Sequence, residues 1–320
     1  MGKVARIVQT WMLPGALVAG VSLYLAYRAL PCLHPAGHVL HVVASEGQRF
    51  LVAVLLFCQF VKISPHDLQL RRWHVWALCF QVLVFLGLTA LAACTGPGVG
   101  RILLECGMLC IICPAAAASG VITEKLGGSL AGTVTYVTLT NLVATLLIPI
   151  AIPIVCPSSS LGFWAYVGHL AWKVFPVLVL PALVAWVIRY TTHKLQRLLM
   201  RWSRYAFYVW GVCLTIAMLL ATRALALSGL GLGAVLLVVL VSLACCIIQF
   251  FLGRRIGRGS SGGNAEDTIA ACQALGQKNT GFLIWLGYNY MTPVTSVAGG
   301  LYAIWQNLFN SWELYRKGRG

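Results

Sequence analysis

Charge is what this chain has least of. Only 9% of its 320 residues are Asp, Glu, Lys or Arg, and just 7 of them are acidic. A soluble domain averages about 25% charged and about 45–50% apolar residues. Here the apolar share is 60% and the mean hydropathy is +0.86. That balance excludes a single soluble enzyme domain, a disordered chain and a nucleic-acid-binding domain. Catalytic constellations are missing too. No H-E-x-x-H occurs, and the 7 histidines fall mostly in gaps between apolar runs, so the chain is not read as an enzyme. Most of the 12 cysteines (Cys58, Cys79, Cys106, Cys110, Cys113, Cys213, Cys245 and Cys246 among them) lie inside apolar runs, where a thiol behaves as a small hydrophobe. Cys110 and Cys113 form one C-x-x-C, and no second pair completes a zinc pattern. The first apolar run follows Lys3 and Arg6 like a signal peptide, yet no clean cleavage site comes after it. The G-R-G-S-S-G-G stretch from Gly257 lacks the strand–helix context of a phosphate loop.

What is abundant is long apolar sequence. A transmembrane helix needs about 20 mostly apolar residues. The chain is expected to be an all-α polytopic membrane protein with ten spans, near 10–29, 46–62, 73–95, 101–123, 128–154, 164–189, 205–223, 230–252, 265–286 and 290–312. The second is short, and the fourth and ninth are polar or broken in the middle. With the N-terminus in the cytoplasm, 17 of the 23 basic residues fall on the inner side: Lys3, Arg6; Lys62, Arg71, Arg72; Lys125; Arg189, Lys194, Arg197, Arg201, Arg204; Arg254, Arg255, Arg258; Arg316, Lys317 and Arg319. Arg28, Arg101 and Arg223 lie at outer edges, and Arg49, Lys173 and Lys278 lie within or beside spans. This asymmetry supports ten spans with both termini cytoplasmic. Trp11, Trp73, Trp202, Tyr205 and Trp312 suit interfacial belts. Arg189–Arg204 reads as an interfacial helix on anionic lipid, and Arg254–Gly263 as a flexible loop.

The hydropathy repeats with a half-chain offset near 160, pairing spans one to four with six to nine. Five is odd, so the two copies lie in opposite orientations. Inverted repeats with interrupted helices in matching places point to a secondary transporter whose site lies at the crossing. The interruptions are Cys113-Pro114-Ala115-Ala116-Ala117-Ala118-Ser119-Gly120 and Ala274-Leu275-Gly276-Gln277-Lys278-Asn279-Thr280-Gly281. Pro114 removes a backbone donor, and Gly276 and Gly281 weaken the ninth span. Irregular backbone is tolerated at membrane depth only where protein or a cavity surrounds it.

These residues resemble the bile acid:sodium symporter family and its bacterial members. The first interruption, continued by Val121-Ile122-Thr123, is similar to that family's C-P-G-G-T-A-S-N-V-x-T; the second is similar to its E-x-G-x-Q-N-[ST]. The resemblance is specific over spans three to five and nine to ten and rests on layout elsewhere. It implies a panel domain (1–72 and 157–227) and a core domain (73–156 and 228–320), with substrate between them, in a bacterial inner membrane. It implies two sodium sites as well, and here the chain departs. Ser119, Thr133 and Gln81 match family ligands; Gly120 replaces an Asn, Val137 a hydroxyl residue, Ala274 the shared Glu and Lys278 a Gln. A shift of one residue places Gln273 at the Glu position, still without charge.

The expectation is that the Lys278 ammonium replaces the bound sodium, bonding Gln81 and nearby carbonyls, with Gln277, Ser119 and Thr133 around it. An intramembrane Lys is costly and by default functional. The carrier is then sodium-independent and holds no metal or other cofactor. Release of a proton by Lys278 would give proton coupling, and a permanent charge a uniporter; both stay open. Glu105 is a proton-relay candidate that can also pair with Arg101 at i, i+4. The expected substrate cavity is lined by Ala117, Ala118, Gly120, Asn141, Asn279, Thr280 and Asn289. The function expected is transport of an organic anion (a bile acid, steroid conjugate or small carboxylate) by alternating access. The alternative is a non-transporting sensor, receptor or channel on the same fold. The partners expected are that anion and the lipid bilayer, with the chain a monomer or weak homo-oligomer.

Overall fold

Long apolar runs with few turn-forming residues leave the backbone one way to bond itself away from water, and the chain is helical almost throughout. The structure is a computed structural model that describes residues 3–317. The side chains of Lys3, Arg6, Trp11 and Arg204, and all of Arg319, lie outside the described part. The helices are α1 (Lys3–Ala29), α2 (Gly37–Phe60), α3 (Arg72–Cys94), α4 (Val99–Ile112), α5 (Ser119–Lys125), α6 (Leu130–Val155), α7 (Phe163–Leu178), α8 (Leu180–Thr191), α9 (His193–Trp202), α10 (Ala206–Leu227), α11 (Leu232–Ser260), α12 (Ala265–Gly276), α13 (Thr280–Tyr290) and α14 (Thr295–Lys317). Among the described residues there is no strand, only an isolated antiparallel bridge between Ala115 and Lys278.

Five segments are long and apolar enough to cross a membrane: Pro31–Phe60, Arg72–Cys94, Leu130–Val155, Ala206–Leu227 and Leu232–Ser260. A sixth is formed if α7 and α8, bent by 43°, are one span. Pro181 at the start of α8 accounts for the bend, because it has no N–H to continue the helix. The interrupted pieces fall short by themselves. At 1.5 Å per residue α4, α12 and α13 reach only about 16–21 Å, against a hydrocarbon core of about 30 Å.

The distribution of polarity identifies the solvent. Gln48, His74, Gln81, Glu105, Gln249 and Lys278 are fully buried, while Phe50, Leu83, Leu146 and Leu232 are each at least two-thirds exposed. Water would drive the opposite arrangement. In lipid the apolar tails face outward and the polar groups bond one another inside. The fold is that of a helical membrane protein.

Two boundaries differ most from the sequence reading. The second apolar helix begins at Gly37, not near 46, so it is not short. The sequence around His38 and His41 reads as a loop, but its Val39, Leu40, Val42 and Val43 are an exposed apolar helical surface. Likewise α11 runs on through Arg254, Arg255 and Arg258 to Ser260, so the expected flexible loop shrinks to 261–264. Packing explains the extension. A Cβ on Gly253 would lie 2.6 Å from the Ala271 carbonyl oxygen, and one on Gly257 would lie 2.8 Å from that of Asp267. These two glycines, four apart, let the α11 and α12 backbones touch, and that contact outweighs their poor helix propensity. The turn that follows uses Gly262 and Gly263 at φ +65° and +87°.

Replacing Gly253 by Leu is therefore expected to lower the thermal unfolding temperature in detergent, by a cost of about 1–3 kcal/mol for overpacking. Gly233→Leu on the same helix, where a Cβ meets nothing within 4 Å, is expected to leave it unchanged.

Candidate functional site

Pro114 ends α4 and the Gly276–Gln277 turn ends α12, and the two broken ends meet. Ala116 N donates to Gln277 O at 3.0 Å and Asn279 N donates to Pro114 O at 2.9 Å, forming a two-rung antiparallel ladder. The Cys113 thiol donates to Asn279 O at 3.0 Å. The central residue of each strand points its N–H away from the ladder. Ala115 N donates to Thr140 Oγ1 on α6 at 3.1 Å, and Lys278 N donates to Gln306 Oε1 on α14 at 2.8 Å. Asn279 caps α13, its side-chain oxygen accepting from Phe282 N at 3.2 Å.

A broken helix leaves its last four carbonyls unbonded, and lipid supplies no donor. At the end of α4 every one finds a partner. Leu109 O accepts from Cys113 N at 3.0 Å, and Cys110 O from Gln249 Nε2 at 3.1 Å. Ile111 O accepts from Lys278 Nζ at 3.0 Å, and Ile112 O from Gln81 Nε2 at 3.1 Å. Gln81 is in turn held by Tyr136, whose hydroxyl donates to Oε1 at 2.9 Å. Tyr302 completes the frame, donating to Gly276 O at 2.8 Å and accepting from Gln249 at 3.0 Å.

Lys278 is wholly buried and has no carboxylate partner. The ion pairs among the described residues are Arg49–Glu46, Arg71–Asp267, Arg101–Glu105 and Arg254–Glu313, and none includes it. Its ammonium instead meets the carbonyl end of α4, where the aligned peptide dipoles present partial negative charge. A chain of polar side chains begins at its neighbour in sequence. Gln277 donates to Gln273, Gln273 to the Glu313 carboxylate, and Arg254 pairs with Glu313. A carboxylate from α14 thus reaches the side chain at 273, next to Ala274.

The described bonds of the expected site residues go to different partners. Lys278 reaches a carbonyl as anticipated, but Gln81 bonds the neighbouring carbonyl rather than the amine. Ser119 donates to Ala116 O at 2.7 Å, and Thr133 to Thr123 Oγ1 at 3.1 Å and Ser129 O at 3.0 Å. The Ser119 bond stays local and the Thr133 hydroxyl ties α6 to α5, and none of their described bonds reaches Lys278. Glu105, also fully buried, accepts from Arg101 Nε at 3.3 Å and Thr292 N at 3.2 Å, so no described bond links it to Lys278 as a relay would require.

The expected cavity residues differ in exposure. Ala118 is exposed, Ala117 and Asn279 are half-buried, and Thr280 and Gly120 are buried. Asn289, exposed at the far end of α13 and about 15 Å from Asn279 by helical rise, accepts from Ser45 Oγ. Asn141 is buried with both amide atoms unpartnered. Around Gly281 the surface is closed: a Cβ there would meet Gln48, Val52 and Cys213 at 3.2 Å each. The residues not singled out from sequence are the amides and phenols Gln48, Gln249, Gln306, Tyr136 and Tyr302. Their signal was available, since an amide inside an apolar run needs a partner.

Fold and site together define a helical membrane protein in which the segments that follow α4 and α12 pair through their backbones. No protein-family model and no curated protein matches the chain.

Gln81→Leu leaves Ile112 O and the Tyr136 hydroxyl without partners, at about 1–3 kcal/mol for each buried group. The expected result is a clearly lowered unfolding temperature in detergent. Leu83→Ala, on the lipid face two positions away, is expected to change it little.

Proposed function

We propose that this chain is a secondary carrier for an organic anion, working by alternating access and without sodium, with Lys278 in place of a bound cation. The observation that carries the reading is the fully buried Lys278 ammonium, bonded to Ile111 O at the end of an interrupted helix and lacking a carboxylate. In the family the sequence resembles, metal ions neutralise this region. Here a tethered amine does so, and the missing Glu at Ala274 is consistent with a charge that needs no acidic ligand.

Counting α4 with α5, α7 with α8 and α12 with α13 as one span each gives ten spans and two inverted five-helix repeats. The bonding at the crossing supports this count. Ala115 and Lys278 occupy equivalent places, and each gives its N–H to the helix that follows its own broken span, α6 through Thr140 and α14 through Gln306. On this reading α3–α6 and α11–α14 form the core domain; α1, α2, α7, α8 and α10 form the panel. The Gln48 amide of α2 bonds Gly281 O of α13 at 3.2 Å and Cys213 of α10 at 3.4 Å. That junction must part for substrate to pass between the domains. The basic segments then face the cytoplasm of a bacterium, with both termini on that side.

Uptake of labelled taurocholate and of small carboxylates into proteoliposomes tests the proposal. Saturable uptake and counterflow are expected to be equal with and without sodium. A strict sodium requirement overturns the role given to Lys278. Binding without counterflow makes the chain a sensor. The double change Lys278→Gln with Ala274→Glu is expected to create sodium dependence.

A further inference from the structure

At the end of α10 remote from the basic segments, a cavity of about 260 Å³ opens between α4, α10 and α13. Its walls are mostly apolar, with Ile102, Leu227, Pro293 and Val294 among them, and Arg223 and Tyr288 bring the strongest polar groups. Arg223 donates to the Tyr288 hydroxyl. The direction of that bond matters. The phenol oxygen accepts from the guanidinium, so its own O–H remains available as a donor. Arg223 keeps further N–H groups of its five-donor fork.

Two observations show that the charge is uncompensated. No carboxylate among the described residues forms an ion pair with Arg223. The nearby Glu105 is already held by Arg101 and by the backbone N–H of Thr292, a lining residue, so that pair is neutral and engaged. Behind Tyr288 stands the His41 ring, 5.2 Å away between centroids, whose Nε2 is buried and unpartnered. The result is a half-buried, unpaired guanidinium beside a free phenol O–H, facing an apolar chamber.

We infer that this cavity binds a carboxylate carried on a compact apolar body, with Arg223 and Tyr288 gripping its two oxygens. A planar fork matches a carboxylate, and the apolar walls suit a hydrocarbon remainder. Ligand pockets usually span about 300–1,000 Å³. Just below that range, the chamber suits a body as small as a ring of six carbons. Because α10 and α13 lie on opposite sides of the proposed panel–core boundary, an occupant touches both bodies. Its role as an outer substrate station rests on the carrier reading, whereas the binding itself does not.

The test is thermal stabilisation of the detergent-purified protein by cyclohexanecarboxylate, with cyclohexanecarboxamide as the uncharged control. Stabilisation by the acid alone is expected. Arg223→Gln is expected to weaken apparent affinity by about tenfold or more, as befits loss of a charged hydrogen bond, and Tyr288→Phe by less. Should Arg223→Gln fail to fold, Leu227→Trp provides a second variant. Its site is exposed, it fills the chamber without touching the charge, and it is expected to abolish stabilisation. Equal effects of acid and amide, or unaltered binding in Arg223→Gln or Leu227→Trp, overturn the assignment. So does stabilisation by phosphatidylglycerol alone, which would make Arg223 a lipid-headgroup ligand. Binding without sodium-free transport defeats only the carrier proposal; transport without binding here defeats only this site.

Discussion

Four carbonyl oxygens at the end of α4 set the terms for the rest of the molecule. They exist because Pro114 stops the helix inside the protein, and in a lipid-embedded interior nothing but protein can bond them. The four donors come from four places: the next turn of backbone, Gln81 on α3, Gln249 on α11 and Lys278 beyond α12. A break in one helix thereby fixes three others around it. The crossing ladder between Pro114–Ala116 and Gln277–Asn279 then follows as the way for both exposed backbones to be bonded at once.

Lys278 differs from its companions in kind. An amide on either side of it satisfies a carbonyl with a neutral dipole, whereas the amine brings charge to a place with no carboxylate. Its electrostatic partner is the helix end itself, a diffuse negative region spread over several peptide groups. Burying a cation is costly unless it is bonded and its charge is answered, and this arrangement provides both only while α4 and α12 stay crossed. An element that moves the crossing moves the environment of the charge.

The same logic governs the outer surface. Because lipid gives helices no hydrophobic reason to associate, close approach and internal polar bonds must hold the bundle. Gly253 and Gly257 supply the first for α11 on α12, and the Gln277–Gln273–Glu313–Arg254 chain the second for α12 on α14 and α11. Arg254 and Arg258, which look like loop residues when read for charge alone, are helical because this packing carries α11 past the apolar run.

Read along the chain, composition and hydropathy were enough to specify a helical membrane protein. Pro114 and the Gly276–Gly281 stretch located both interruptions, because backbone donors and glycine act locally. Lys278 stood out as an intramembrane charge for the same reason. What no local pattern contains is the identity of a partner that folding brings close from another segment. Gln81 bonded to the Ile112 carbonyl rather than to the amine, Glu105 reached by Thr292 N, Thr133 tied to Thr123, and Arg223 set against Tyr288 were all decided by tertiary packing. Hydrogen bonds depend on distance and direction in space, and those are set only when the helices have docked.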